Sequence, residues 1–365
     1  MRDSKNVEPV GAPDTQPKAS PYMRLPDRQF WSKAVQPADF KSVENIYTKK
    51  FSIEGLDTAT AGSCFAQHVA KNLKLNGYTV LDLEPGLPSV AGMVAKRFGY
   101  DTYSARYGNI YTTRRLRQLA EEAAGLMKPD ADDLVWSRAN RYWDALRPSV
   151  EPKGLASPQE VLLQRADHVS RVRRLLERAK LFVFTFGLTE AWMSRRSGLV
   201  YAQAPGTPIE GRLVGSYDES AHAFVNFRVQ DVYDDFVAFR KIAHSFNPEM
   251  KFLVTVSPVP LAVSAVDTHV LAATVRSKAV LRAAAAQLYE DFADVDYFPS
   301  FELLSTPFLG AARFEEDKRE VQPRAVAMVM RHFFSEHPPL DGKRLRTASQ
   351  EDVVCEEALL KAFSK

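Results

Sequence analysis

The sequence predicts an α/β protein, a three-layer α/β/α sandwich built on a central parallel sheet. Apolar runs such as LFVFTF (residues 181–186) and KFLVTV (residues 251–256) have the length and composition of strands buried on both faces. Longer segments with apolar residues at helical spacing separate them. The strand candidates end in Gly, Ser or Pro, the punctuation of a turn into the next element.

Taken in order, residues 1–19 read as a disordered tail, because they lack the apolar surface that offsets ordering entropy. Residues 20–44 read as an N-terminal arm, with Tyr22, Leu25, Phe30 and Trp31 packing onto the body. Residues 45–337 form the α/β domain. Within it TATAG (residues 58–62) is a short strand, Phe65–Leu75 an amphipathic helix, and GYTVLDLEPG (residues 77–86) an alternating second strand. Helices are expected from Arg114 through LAEEAAGLM and from Pro158 to Lys180, followed by a continuous strand over residues 180–192. A helix over residues 229–250, a strand over 251–260, a helix over 274–293 and a strand opening VDYFPSFEL complete the alternation. Residues 338–365 read as a linker and a C-terminal helix.

Composition narrows the function classes. The 365 residues are 45% hydrophobic and 25% charged, as in soluble globular proteins. A net charge of +3 gives a nucleic-acid role little electrostatic support, and the Arg runs at residues 114–118 and 171–178 read as solvated helix faces. Two cysteines, Cys64 and Cys355, make neither a zinc site nor a disulfide framework, so a reducing compartment is the simpler reading. The N-terminus has no signal-peptide core, and the longest apolar run is too short for a membrane span, so a cytoplasmic protein is expected. No dinucleotide or Walker loop is present and the seven histidines are scattered, so neither a cofactor nor a metal is expected.

In open α/β sheets, ligands bind beyond the carboxyl ends of the strands. Four segments end strands there: Gly62-Ser63, Gly108-Asn109, Gly187-Leu188-Thr189-Glu190 and Ser257–Pro260. Ser63 opens a helix, so it is either an N-cap bonded to the N–H near Ala66 or a nucleophile beside free backbone donors. Cys64 packs beneath the turn, or becomes reactive if exposed. His68 reads as a structural or surface histidine, Glu190 as a site carboxylate or a cap, and His332 and His337 as residues of a terminal helix and its following turn.

AGSCFA (residues 61–66) resembles the signature of the GSCFA family, a bacterial group similar to the SGNH/GDSL hydrolases. SPYMRLP, YGNIYTTRRL, FGLTEAW, VNFRV, TVSPVPL, SKAVLRA and DYFPSFEL extend the resemblance in order from about residue 20 to 335. It implies a flavodoxin-like, SGNH-type sandwich with Ser63 as nucleophile on the Gly62 turn and the Ser63 N–H as oxyanion donor. Gly108 stands near a second-block glycine with Asn109 as an added polar group, and Gly187 opens a third block in which Thr189 replaces an Asn amide. The family's Asp-x-x-His pattern reads Asp317-Lys318-Arg319-Glu320 here, and Glu320 serves as base only if burial raises its pKa. The other candidate base is His269, with Asp267 as its partner, on the loop after TVSPVPL; the alternative is that His269 caps the next helix. The implied activity is that of a serine esterase or O-acyltransferase working through a Ser63 acyl-enzyme, on an acylated carbohydrate or similar small ester. The rival is a non-catalytic carbohydrate-binding or scaffold protein on a degenerate SGNH fold. Tyr103, Tyr107, Tyr111, Trp143 and Trp192 either stack on sugar rings or pack.

Overall fold

The computed structural model describes residues 20–89, 92–310, 313–340, 342, 345–348, 359, 360 and 363. The expected N-terminal tail, Cys355 and most of the expected C-terminal helix lie outside the described residues.

The principal elements follow the alternation read from the sequence. They are β1 (Thr58–Gly62), α1 (Cys64–Leu75), α2 (Thr113–Ala123), α3 (Pro158–Arg178), β2 (Leu181–Phe186), β3 (Glu190–Ser194), β4 (His222–Asn226), α4 (Val229–Phe246), β5 (Lys251–Val256), α5 (Val270–Asp291), β6 (Val295–Tyr297) and α6 (Pro323–Glu336). Strands β1, β2, β5 and β6 form a parallel sheet in the order β1-β2-β5-β6. Two of the helices start on a hydroxyl cap. The Thr112 hydroxyl accepts from the Arg115 N–H at 3.3 Å ahead of α2, and the Ser157 hydroxyl accepts from Glu160 N–H at 3.2 Å ahead of α3, whose first residue is proline.

The two-residue period of the strands sorts the core into two faces. Phe182, Phe184 and Phe186 of β2 meet Leu119, Leu175, Phe236, Phe239 and Leu281 from α2 to α5. Leu181, Val183 and Leu253 point the other way and meet Phe65, Val69 and Leu73 of α1 with Val329 and Phe333 of α6. Helices therefore cover both faces of the sheet. A satellite cluster around Trp136, Trp143, Leu199, Tyr201 and Ile209 gathers the antiparallel hairpin of residues 135–144 with the loops after β3.

Several expectations change. Residues 77–86 supply one parallel bridge, Val80 to Thr58, rather than a strand, because the chain turns away to bury Glu84. The run over 180–192 is not continuous. It breaks at Gly187, and Glu190–Ser194 pairs antiparallel with His222–Asn226 outside the main sheet. In the arm, Tyr22 and Trp31 are exposed, and Trp31 meets the Phe308 ring edge to face, at 4.9 Å between centroids. The Arg run at 114–118 is not a solvated face. Arg115 is buried, and Arg114 and Arg117 both bind the buried carboxylate of Asp235. Among the described residues, no helix is long and apolar enough to cross a membrane.

Candidate functional site

Three of the segments singled out in the sequence meet at the carboxyl edge of the sheet, joined through their backbones. Gly62 O accepts from Ile110 N–H at 2.9 Å, Gly187 N–H donates to Tyr111 O at 3.1 Å, and Ser257 N–H donates to Phe186 O at 2.8 Å. Gly62 is required at its place. Its φ is +136°, and a Cβ there would stand 2.6 Å from Thr185 O. Gly187 is also close to a neighbour, with Tyr111 O 3.0 Å from the position of a Cβ.

Ser63 is 2% exposed at the start of α1. Its hydroxyl does not cap the helix and, among the described residues, has no hydrogen-bond partner. The Ser63 N–H, the expected oxyanion donor, instead donates to Thr185 O at 3.2 Å, while Ser63 O accepts from Ala66 N–H at 2.8 Å. Cys64 is buried, as is His68, whose pKa burial and then Lys71 bring down to about 4.

The other candidates are engaged elsewhere. His269 is exposed, and its Nδ1 accepts from Leu271 N–H at 3.1 Å, which makes it the N-cap of α5. Asp267 is exposed on the same loop. Asp317 accepts from the N–H groups of Arg319 and Glu320, both at 2.9 Å, and Glu320 is exposed, without the burial that a carboxylate base needs. Asn109 is buried, with Oδ1 accepting from the Tyr103 hydroxyl and from Gln67 Nε2 at 3.4 Å. Gly108 and Asn109 line a small cavity of about 30 Å³. The Thr189 hydroxyl donates to Asn226 Oδ1 at 2.7 Å and accepts from Arg276 Nη1 at 3.1 Å, so it serves the junction of β3, β4 and α5. Glu190 fastens the loop after β5, accepting from Ser264 Oγ at 2.8 Å and Ala265 N–H at 3.2 Å. Among the aromatics weighed for stacking, Tyr103, Tyr107, Tyr111 and Trp143 are buried, and Trp192 is half-buried. His332 lies in α6 and His337 caps its end, with Nε2 3.0 Å from the Tyr47 hydroxyl, which donates to Asp296 at 2.8 Å.

The larger concavity lies beside Ser63's turn rather than over it. A cavity of about 280 Å³ opens at the carboxyl edge between Tyr111, Leu188, Glu190, Trp192, Phe224, Leu261 and Ser264, with Tyr201, Gln203, Leu360 and Phe363 closing other walls. Arg115 reaches it from α2. Behind Arg115 runs a buried ion network in which each acid is already engaged. Arg147 binds Asp144 at 2.8 Å and Glu84 at 3.2 Å, Arg165 binds Asp144 at 3.2 Å and also Glu122, and Arg106 binds Glu151 at 2.9 Å. His168 Nδ1 lies 2.7 Å from Glu84, and burial, with the neighbouring Arg147, pushes its pKa to about 3, so it is a neutral donor to that carboxylate.

Sequence reasoning missed Arg115, Gln203, His168 and Lys278, the last a buried lysine whose ammonium donates to Gly187 O at 2.6 Å. One signal was present for Arg115. It precedes Leu119 by four residues and so falls on the apolar stripe of its helix. Gln203 lies on an irregular loop and carries no such periodicity. Among the described residues, no group of three or more His, Cys, Asp or Glu is placed to hold a metal ion.

A family model described as GSCFA family matches residues 57–333, from the residue before β1 to within the last turn of α6. Among curated proteins and among solved structures, nothing matches the chain.

Proposed function

The chain belongs to the GSCFA family, and on that premise we propose that it is a small-molecule-binding protein on an SGNH-like frame, with the carboxyl-edge cavity as its ligand site. The frame reading is supported by strand order. With Val80 paired outside β1, the sheet runs Val80-β1-β2-β5-β6, the flavodoxin-like doubly wound order. Ser63 follows β1 and Gly187-Thr189 follows β2, as the first and third SGNH blocks follow theirs, while Gly108-Asn109 lies in the connection after the Val80 bridge. The observation that carries the binding reading is the cavity itself, a concave, largely apolar site at the position where open α/β sheets take ligands.

A second reading keeps ester chemistry at Ser63, as an esterase or O-acyltransferase on an acylated carbohydrate or similar ester. The buried, unpartnered Ser63 hydroxyl favours it. Fluorophosphonate labelling of the full chain, with peptide mapping, separates the two. The binding reading expects no adduct on Ser63; an adduct that Ser63→Ala abolishes would overturn it in favour of acyl transfer. The cytoplasmic setting expected from the sequence is part of the same proposal, and its check is fractionation of the native host.

A further inference from the structure

We propose that the carboxyl-edge cavity binds an apolar monocarboxylate, its carboxylate held by Arg115 and Gln203 and its hydrocarbon or aryl body lying against Leu188, Trp192, Phe224 and Leu261. The inference rests on the reading of this cavity as the ligand site and adds the chemical class of the ligand.

Two independent observations point to it. Arg115 is 3% exposed, its Nη1 is sealed from solvent, and that nitrogen has no hydrogen-bond partner among the described residues. Gln203 is 9% exposed on the same cavity, and both its amide oxygen and its amide nitrogen lack partners there. Buried polar groups in proteins are almost always bonded, so three orphaned atoms on two side chains that line one cavity mark a place that a ligand completes. The acids nearest Arg115 do not satisfy it. Glu122 and Asp144 are already bound to Arg165 and Arg147, and those two guanidiniums act against Arg115. Burial, followed by the repulsion from Arg165, pulls the Arg115 pKa down to about 9, so it stays a cation at neutral pH and in need of an anion.

The ligand's charge follows from the lining. Arg115 is its one cation among the described residues, and Glu190 stands on the same cavity with a carboxylate of its own. A single negative charge matches one guanidinium, whose N–H groups donate to a carboxylate. A phosphate dianion would bring an unmatched charge towards Glu190. The Gln203 amide contributes a donor to the carboxylate, and its oxygen accepts from a hydroxyl or N–H carried next to that group. The remaining walls are mostly apolar, and the volume is near the lower end of the roughly 300–1,000 Å³ common for small-molecule sites, which suits a medium-chain or aryl-alkyl acid.

The test is calorimetric titration of the full-length protein with octanoate and with 4-phenylbutyrate, alongside octanamide and octyl phosphate. Saturable binding of the acids, at least about tenfold tighter than octanamide or octyl phosphate, is the expected result. Arg115→Gln should weaken acid binding by about tenfold or more and leave octanamide within about twofold. Gln203→Leu, which keeps the cation, should weaken acid binding as well, and it serves if Arg115→Gln does not fold. No saturable binding of either acid, equal affinity for octanamide, or a preference for octyl phosphate would each overturn the assignment. None of these results bears on whether Ser63 takes a fluorophosphonate, so failure here is distinguishable from failure of the binding reading.

Discussion

Replacing Ser63 by alanine separates two physical accounts of the turn by the sign of a stability change. If the hydroxyl capped α1, its loss would cost about 1 kcal/mol, within the range of 0.5–2 measured for serine caps. The structure gives it no such bond: the oxygen is buried, unpartnered and does not accept from the first turn. Leaving a hydroxyl buried without a partner costs about 1–3 kcal/mol of desolvation, and Ser63→Ala removes that cost while opening a void of one oxygen atom. The expected outcome is a gain of about 1 kcal/mol. For a slope of about 3 kcal/mol/M, urea unfolding should then show a midpoint about 0.3 M higher at unchanged slope. A midpoint lowered by a comparable amount would refute the reasoning and restore the cap. The sign matters for function because residues kept at a stability cost are characteristic of sites.

Three further perturbations test the frame around that turn. Gly62→Ala places a Cβ 2.6 Å from Thr185 O at a φ of +136°, so it should cost at least about 1–3 kcal/mol in urea unfolding; a variant as stable as the parent would contradict the close approach of β1 and β2. Arg147→Met removes one partner from Asp144, which keeps Arg165, and one from Glu84, which keeps His168, so it should destabilise by about 3 kcal/mol, the low end for breaking a buried ion pair; an unchanged midpoint would show that the remaining partners suffice. The pH profile carries a definite sign. Burial holds His68 and His337 at about 4 and His168 at about 3, below the unfolded value near 6.5, so the unfolded chain binds more protons across that window. Stability should therefore be complete above about pH 6.5 and fall as the pH drops towards 4, by about 1.4 kcal/mol per unit for each histidine. His68→Gln should make the slope shallower, and a midpoint level from pH 7 to 5 would exclude buried neutral histidines.

How far the site was legible depended on whether a residue's role was local. The Gly-Ser turn was readable because a short strand, a glycine and a helical repeat adjoin within a few residues. The cap at His269 was readable as an alternative for the same reason, since a cap is a bond between positions two apart. The claim of a base for Ser63 was of another kind. It depended on side chains more than two hundred residues away, and spacing along a loop does not say where an imidazole points. The Arg run at 114–118 shows the opposite failure: its charge suggested water, while the four-residue interval from Arg115 to Leu119 put that arginine under the helix.

By itself the sequence determined the alternation of strands and helices, the parallel sheet and the turn on which Ser63 stands, because each follows from periodicity and from residues close in the chain. Only the tertiary structure decided that the Ser63 N–H is taken by Thr185. It alone set Arg115 and Gln203, 88 positions apart (203 − 115), on one apolar cavity. The physical reason is that hydrogen bonds and desolvation are settled between neighbours in space, and the sheet chooses those neighbours by folding distant loops onto one edge.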